Sequence, residues 1–212
     1  MTSRDASLAK AFVVFVCVVA VGVAATVYMK SRTPVEVQAE SVQETIVPVG
    51  SSTRFVPVVQ TSEAHSSKAD KQLVLRATTR PEGETEYAFY ITDMSGGSEW
   101  TLFSRTLSSG ASMALPFNTW DPTDTYVFLE ETTGGIPNYY VLHANGQPFA
   151  NGELFIDVGA VWNVKKPGYK IRQATGWASG TLLILYTTKE DGSKGPAFWF
   201  EIPSTAILQL AG

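Results

Sequence analysis

Three Thr-Thr pairs, Thr78-Thr79, Thr132-Thr133 and Thr187-Thr188, stand 54 and 55 residues apart. Each lies between an apolar run and an aromatic run: LRATTRPEGETEYAFYITD, LEETTGGIPNYYVLHANG and LYTTKEDGSKGPAFWFEI. Self-similarity at a fixed period marks a chain built from copies of one supersecondary unit, stacked so that neighbours bury each other's apolar faces. The unit itself reads as strand, turn, strand. Gln72–Thr78, Glu86–Asp93, Glu99–Thr106, Tyr126–Glu131, Asn138–His143, Leu154–Val158, Thr181–Thr187 and Ala197–Ile202 are rich in β-branched and aromatic residues. Between them fall Pro81-Glu82-Gly83, Ser95-Gly96-Gly97, Gly134-Gly135, Asn145-Gly146, Asn151-Gly152 and Asp191-Gly192, turns that need a left-handed residue. No stretch of this body shows a helical period, and Ser204–Leu210 is too short for one. The expected fold class is all-β and antiparallel.

A Trp leads the second and third units: Trp120 in NTWDPTDTYVFLEE and Trp177 in TGWASGTLLILYTT. The string W-x-P-x-D-x-Y-V-F-L-E followed by N-Y-Y-V-L-H-A-N-G-Q resembles the β-propeller repeats of the TolB type (WD40-like Pd repeats). The resemblance is strongest over Trp120–Gln147, weaker over Trp177–Ile202 and faint over Leu73–Gly97, about half of the body. It departs from the family pattern where Thr123-Asp124 and Ala178-Ser179-Gly180 replace the usual Pro-Asp-Gly. It implies a propeller-like architecture and no particular activity, because propellers host binding modules and enzymes alike. Three units make three blades, whereas closed propellers typically need four to eight. The expectation is therefore a partial, about three-bladed propeller, with a two-sheet β-sandwich as the alternative. In the open arrangement the spacer, the excursion Gln147–Gln173 or another subunit must cover the exposed edges.

The other strong constraint is the run Ala11–Met29, nineteen residues without a charge, bracketed by Lys10 and Lys30. As a helix it spans ~28 Å, close to the hydrocarbon core of a bilayer. Lipid leaves a valine-rich backbone no hydrogen-bonding partner but itself, and Tyr28 stands where an interfacial ring belongs. The organisation expected is a tail over 1–10, a transmembrane helix over 11–29, a flexible spacer over 30–70 and a β-repeat domain over 71–212. A signal peptide cut near Gly22–Ala25 is the competing reading, less favoured because the run exceeds the usual signal-peptide core. Arg4 and Lys10 before the run balance Lys30 and Arg32 after it, so orientation rests on the shortness of the tail. That places the body outside the membrane, at the cell surface or in the periplasm, as a single-pass protein.

Pro34, Pro48 and Pro57, with Ser-, Gln- and Glu-rich stretches, read as extended or disordered chain over 31–70. The apolar pieces Thr45–Val49 and Phe55–Val59 are the exceptions, each suited to dock as an edge strand. Residues 1–30 carry three basic groups and one acid; the remaining 182 carry 13 basic and 19 acidic groups. A net-acidic body lacks the basic stripe that displaces counterions from nucleic acid, so no nucleic-acid partner is expected. Cys17, the one cysteine, lies in the apolar run, and His65 and His143 are the only histidines. Intramolecular disulfides, Cys-based zinc sites and His-rich metal sites are thereby excluded; no metal and no cofactor is expected.

No catalytic residue is assigned. His143 ends a strand beside a turn, without a G-x-S-x-G elbow in the chain. Glu130 and Glu131, adjacent on a strand, point to opposite faces. Asp121 and Asp124 read as turn-capping residues. The candidate binding residues are aromatic: Trp100, Trp120, Tyr139, Tyr140, Trp162 and Trp177, with one of the Tyr139-Tyr140 pair expected to face outward. The expected function is display, a membrane-anchored β scaffold contacting protein or carbohydrate through loops. Alternatives are a secreted or envelope hydrolase using carboxylates near Asp121 and Asp157, and an envelope-assembly subunit, homo-oligomeric or with open edges closed by a partner.

Overall fold

The computed structural model describes residues 57–211. The expected membrane-spanning segment 11–29 and the first part of the spacer lie outside the described residues. No helix among the described residues is long and apolar enough to cross a membrane.

Among the described residues twelve strands form three four-stranded antiparallel sheets, each a meander in chain order, and there is one short helix. The first sheet holds β1 (Val58–His65), β2 (Lys71–Thr79), β3 (Thr85–Asp93) and β4 (Glu99–Leu107). The second holds β5 (Ala111–Ala114), β6 (Tyr126–Thr133), β7 (Ile136–His143) and β8 (Phe155–Asp157). The helix α1 (Val158–Lys165) follows directly. The third holds β9 (Tyr169–Ser179), β10 (Leu182–Lys189), β11 (Lys194–Glu201) and β12 (Ile207–Gln209). Three four-stranded meanders are consistent with propeller-like blades; they do not close into a ring.

The Thr pairs end β2 and β6 and stand one residue before the end of β10, the second strand of each sheet. Their side chains do not share one facing, however. Thr78 is half-buried on the outer face of the first sheet, while Thr187 is buried and donates to the carbonyl of Pro196 at 2.7 Å. A one-residue slip in a strand is enough to exchange its faces. At the β6–β7 hairpin, Thr133 and Ile136 pair across Gly134-Gly135, whose φ values of 58° and 79° are those of a two-residue hairpin loop.

The middle sheet is covered on both sides. Val127, Leu129, Tyr140 and Leu142 pack against Leu73, Leu75, Phe89 and Ile91 of the first sheet. Tyr126, Phe128, Tyr139 and Val141 pack against Leu183, Leu185, Phe198 and Phe200 of the third. This strict alternation explains why β6 and β7 read as nearly unbroken apolar runs. It also corrects the expectation that Tyr139 or Tyr140 faces outward. The two rings do point to opposite faces, and each face meets another sheet.

Two further expectations are corrected. Val58–His65, within the stretch read as a flexible spacer, is β1, paired along its length with β2 from Val58↔Thr79 to His65↔Gln72. The excursion Gln147–Gln173 is no loop, since it contains β8, α1 and the start of β9. The helix escapes a periodicity search because it has eight residues and buries only Val158 and Trp162, one turn apart. Its start is set by Asp157, whose carboxylate accepts from Ala160 N at 2.9 Å.

Candidate functional site

Asn138, near the start of β7, organises the junction between β7, the end of β8 and the start of α1. Its Oδ1 accepts from Tyr139 N at 2.8 Å and from Gly159 N at 2.9 Å, while its Nδ2 donates to Asp157 Oδ1 at 3.1 Å. One amide thereby locks strand, helix N-cap and first helical turn. Gly159 is required there, because a Cβ at that position would collide with the Asn138 side chain.

Beside this junction opens a cleft of about 870 Å3. Its floor is Trp162 and Ile171; its walls carry Glu131, Asn138 and Asp157 on one side and Lys170 and Arg172 of β9 on the other. The carboxylates are already engaged. Glu131 Oε2 accepts from the Tyr140 hydroxyl at 3.0 Å and lies 3.0 Å from Arg105 Nη1, and Arg105 also donates to Tyr140 at 2.5 Å. Burial, then the nearby Glu131 carboxylate, pushes the Tyr140 phenol above its ordinary range, so it remains a neutral donor. Asp157 is used in capping α1. The cations differ. Lys170 and Arg172 are exposed, and neither forms an ion pair among the described residues.

The aromatic candidates divide. Trp120, Tyr139, Tyr140 and Trp162 are buried in the cores. Of these, Trp162 lines the cleft floor, with its indole N–H donating to Tyr169 O at 2.7 Å. Trp120 donates to Ala64 O at 3.0 Å and half-buried Trp177 to Thr119 O at 3.2 Å. Half-buried Trp100 keeps its Nε1 without an acceptor among the described residues. Trp162 is thus the one candidate the cleft brings into play. Lys170 and Arg172 were not singled out from sequence, where two cations in KIRQ look like any solvated strand edge.

The carboxylates of the hydrolase reading sit on separate elements. Asp121 is fully buried, and its carboxylate accepts from Thr123 N at 2.7 Å, from Thr125 N and Tyr126 N at 2.6 Å each, and from the Thr123 hydroxyl. It ties the 121–125 turn to the start of β6, whereas Asp157 caps α1 at the end of β8. Glu130 and Glu131 diverge as expected from strand geometry: Glu131 meets Arg105 of the first sheet, while Glu130 accepts from Thr132 at 3.3 Å. His143 stacks against Phe149, with ring centres 4.4 Å apart, and against Tyr126 at 4.8 Å. Among the described residues no group of three or more His, Cys, Asp or Glu side chains could hold a metal ion.

No known protein-family model matches the chain, and comparison with curated proteins finds no match.

Proposed function

We propose that this protein is a membrane-tethered binding module whose cleft between the second and third sheets receives an acidic segment of a partner protein. The observation that carries the reading is the pair Lys170 and Arg172, cations without a carboxylate partner among the described residues, at the rim of an apolar-floored cleft. Apolar floor and convergent polar rim are the usual make-up of a ligand site, and Arg suits a carboxylate through two parallel hydrogen bonds. A protein ligand is favoured over carbohydrate because the rings of Trp120 and Trp162 are buried and offer no open stacking platform. Binding is favoured over hydrolysis because Asp121 and Asp157 are consumed as backbone caps on separate elements. Kinship with TolB-type propellers is part of this proposal, supported by three consecutive four-stranded meanders. So are the bilayer anchor over 11–29 and the placement of the body outside the membrane, supported by the uncharged run and the short tail.

The test uses the full chain in its native membrane. A photo-reactive residue at Asn163, exposed beside the cleft, is expected to capture a partner. Capture should be lost when Lys170→Glu and Arg172→Glu are combined. No adduct, or an adduct indifferent to charge reversal, removes the proposal. Protease accessibility in intact cells checks the topology; a protected body that becomes cleavable only after lysis overturns it.

A further inference from the structure

The two ends of the three-sheet stack are chemically unlike. The outer face of the first sheet is polar. Register places Thr61, Glu63, Arg76, Thr78, Thr92, Glu99 and Thr101 on it. Arg76 pairs with Glu99 at 2.7 Å and lies 4.3 Å over the Tyr90 ring, and Gln72 donates to Glu63 at 2.6 Å. The outer face of the third sheet is apolar at its centre, with Lys170, Gln173, Lys194 and Glu201 at its margins by register. Leu182, Ile184 and Tyr186 of β10 alternate with the buried Leu183 and Leu185, while Ala197 and Trp199 of β11 alternate with Phe198 and Phe200. Ile184 pairs with Trp199, and Trp199 with Leu208, which is 49% exposed. None of the outward set belongs to either buried cluster.

LLILY and AFWF are therefore apolar on both faces, the pattern of strands covered on both sides, as in the middle sheet. Yet only one side is covered among the described residues. A cover must itself be broad and apolar. Head-to-tail addition of a second copy would press this face onto the ion-paired end of the first sheet and leave those charges desolvated. The matching surface on the described molecule is the same face of another copy. Strands of 11, 8, 8 and 3 residues, at about 4.8 by 3.4 Å per residue, give this face roughly 500 Å2 a side. A pair buries ~1,000 Å2 in all, the size at which specific dimers begin.

We infer that the protein forms a two-fold dimer through the outer face of its third sheet, with Leu182, Ile184, Tyr186, Trp199 and Leu208 meeting their counterparts. A self-complementary contact of this kind closes at two and leaves no growing end. It stands apart from the cleft, since none of these five residues lines it.

The test is sedimentation of the full chain in mild detergent, with far-UV circular dichroism and urea midpoint as folding checks. Wild type is expected as a dimer. Ile184→Lys and Trp199→Lys should each raise the dissociation constant more than tenfold, whereas Arg76→Gln at the polar end should leave it unchanged. Cross-linking supplies a readout that needs no charge in the interface. In a Cys17→Ser background, Ile184→Cys should be joined to its counterpart by a bis-maleimide of about 10 Å, the spacing of packed sheets, and Thr101→Cys should not. A monomeric wild type, charged variants that remain dimeric, open-ended oligomers, or cross-linking at Thr101→Cys without Ile184→Cys would each overturn the inference. Monomer would leave the face to Thr45–Val49 or to a different protein.

Discussion

The indole N–H of Trp177 donates to the backbone carbonyl of Thr119, 3.2 Å away and in the preceding sheet's leading segment. Trp120 repeats the arrangement one sheet earlier, donating to Ala64 at 3.0 Å. Trp120 bridges to Val127 of β6 and Trp177 pairs with Leu183 of β10. Each therefore stands at the same place in its sheet. Each repeats a hydrogen bond across the boundary between sheets, which apolar packing, being non-directional, would leave free to slide. In the first sheet Ala64 pairs with Leu73 and no Trp occupies that place, since no described sheet precedes it.

The two indoles are not energetically equal. The Thr119 carbonyl also accepts from Phe128 N at 3.0 Å, so it keeps a partner when Trp177 is replaced. Trp177→Phe is expected to cost about 1 kcal/mol, the net worth of one hydrogen bond, and Trp120→Ala about 3–5 kcal/mol through the cavity it opens in the first core. Urea midpoints of the three proteins check the order. A Trp177→Phe loss equal to that of Trp120→Ala would contradict it.

Asp121 and Asp124 share a turn but hold different things. Asp121 anchors its own turn, whereas Asp124, at φ 59°, accepts from Ser67 N at 2.7 Å and Lys68 N at 3.3 Å in the first sheet's β1–β2 turn. Asp121→Ala strands buried N–H donors and should cost about 2–4 kcal/mol at charge-assisted strength. Asp124→Asn keeps an acceptor and tolerates the left-handed backbone, so about 1 kcal/mol is expected. Amide hydrogen exchange separates them: Asp124→Asn should speed exchange at Ser67 and Lys68 while Tyr126 stays protected. Uniform acceleration across both turns would show that they open as one unit.

Burial against Phe149 and Tyr126 holds the His143 imidazole below its ordinary pKa of 6.5. A histidine neutral in the fold and basic when unfolded gives the unfolded chain more protons. This contribution is complete above about pH 6.5 and is lost as pH falls through the folded pKa. His143→Gln should flatten that part of the stability curve between pH 7 and 5. The imidazole resonances should titrate with a midpoint under 6.5, and one above it would reverse the sign.

Much of the β architecture is legible in the chain. Each of the eight strand segments named from sequence overlaps a strand, because β-branched and aromatic residues alternate there between Gly-bearing turns, although Leu154–Val158 runs over the end of β8 into α1. Four strands were missed for local reasons. Ala111–Ala114 and Ile207–Gln209 are too short to show alternation, and Gly176 interrupts Tyr169–Ser179 at a register shift. Val58–His65 has almost wholly exposed side chains and is a strand because β2 offers it an open edge. Its backbone hydrogen bonds, which any sequence can make, supply the stabilisation.

The cleft was not legible. Lys170 and Arg172 gain meaning only when β9 comes to rest beside Asp157 and beside Glu131, which lies far earlier in the chain. Aromatic residue type does not separate a binding position from a core one, and Trp120, Tyr139, Tyr140 and Trp162 are core. Residue type reports how much apolar surface exists, and packing decides which of it meets water.

By itself the sequence determined a period, turn positions and strand faces, because these depend on backbone dihedrals and side-chain alternation within a few residues. Tertiary structure alone decided which faces meet. Two sheets can stack on either side of a third only once all three exist, and that choice buried both faces of β6 and β7, aimed the indoles of Trp120 and Trp177 across sheet boundaries, and left Ile184 and Trp199 facing out. Long-range burial is a property of surfaces, and no local stretch of chain encodes its partner.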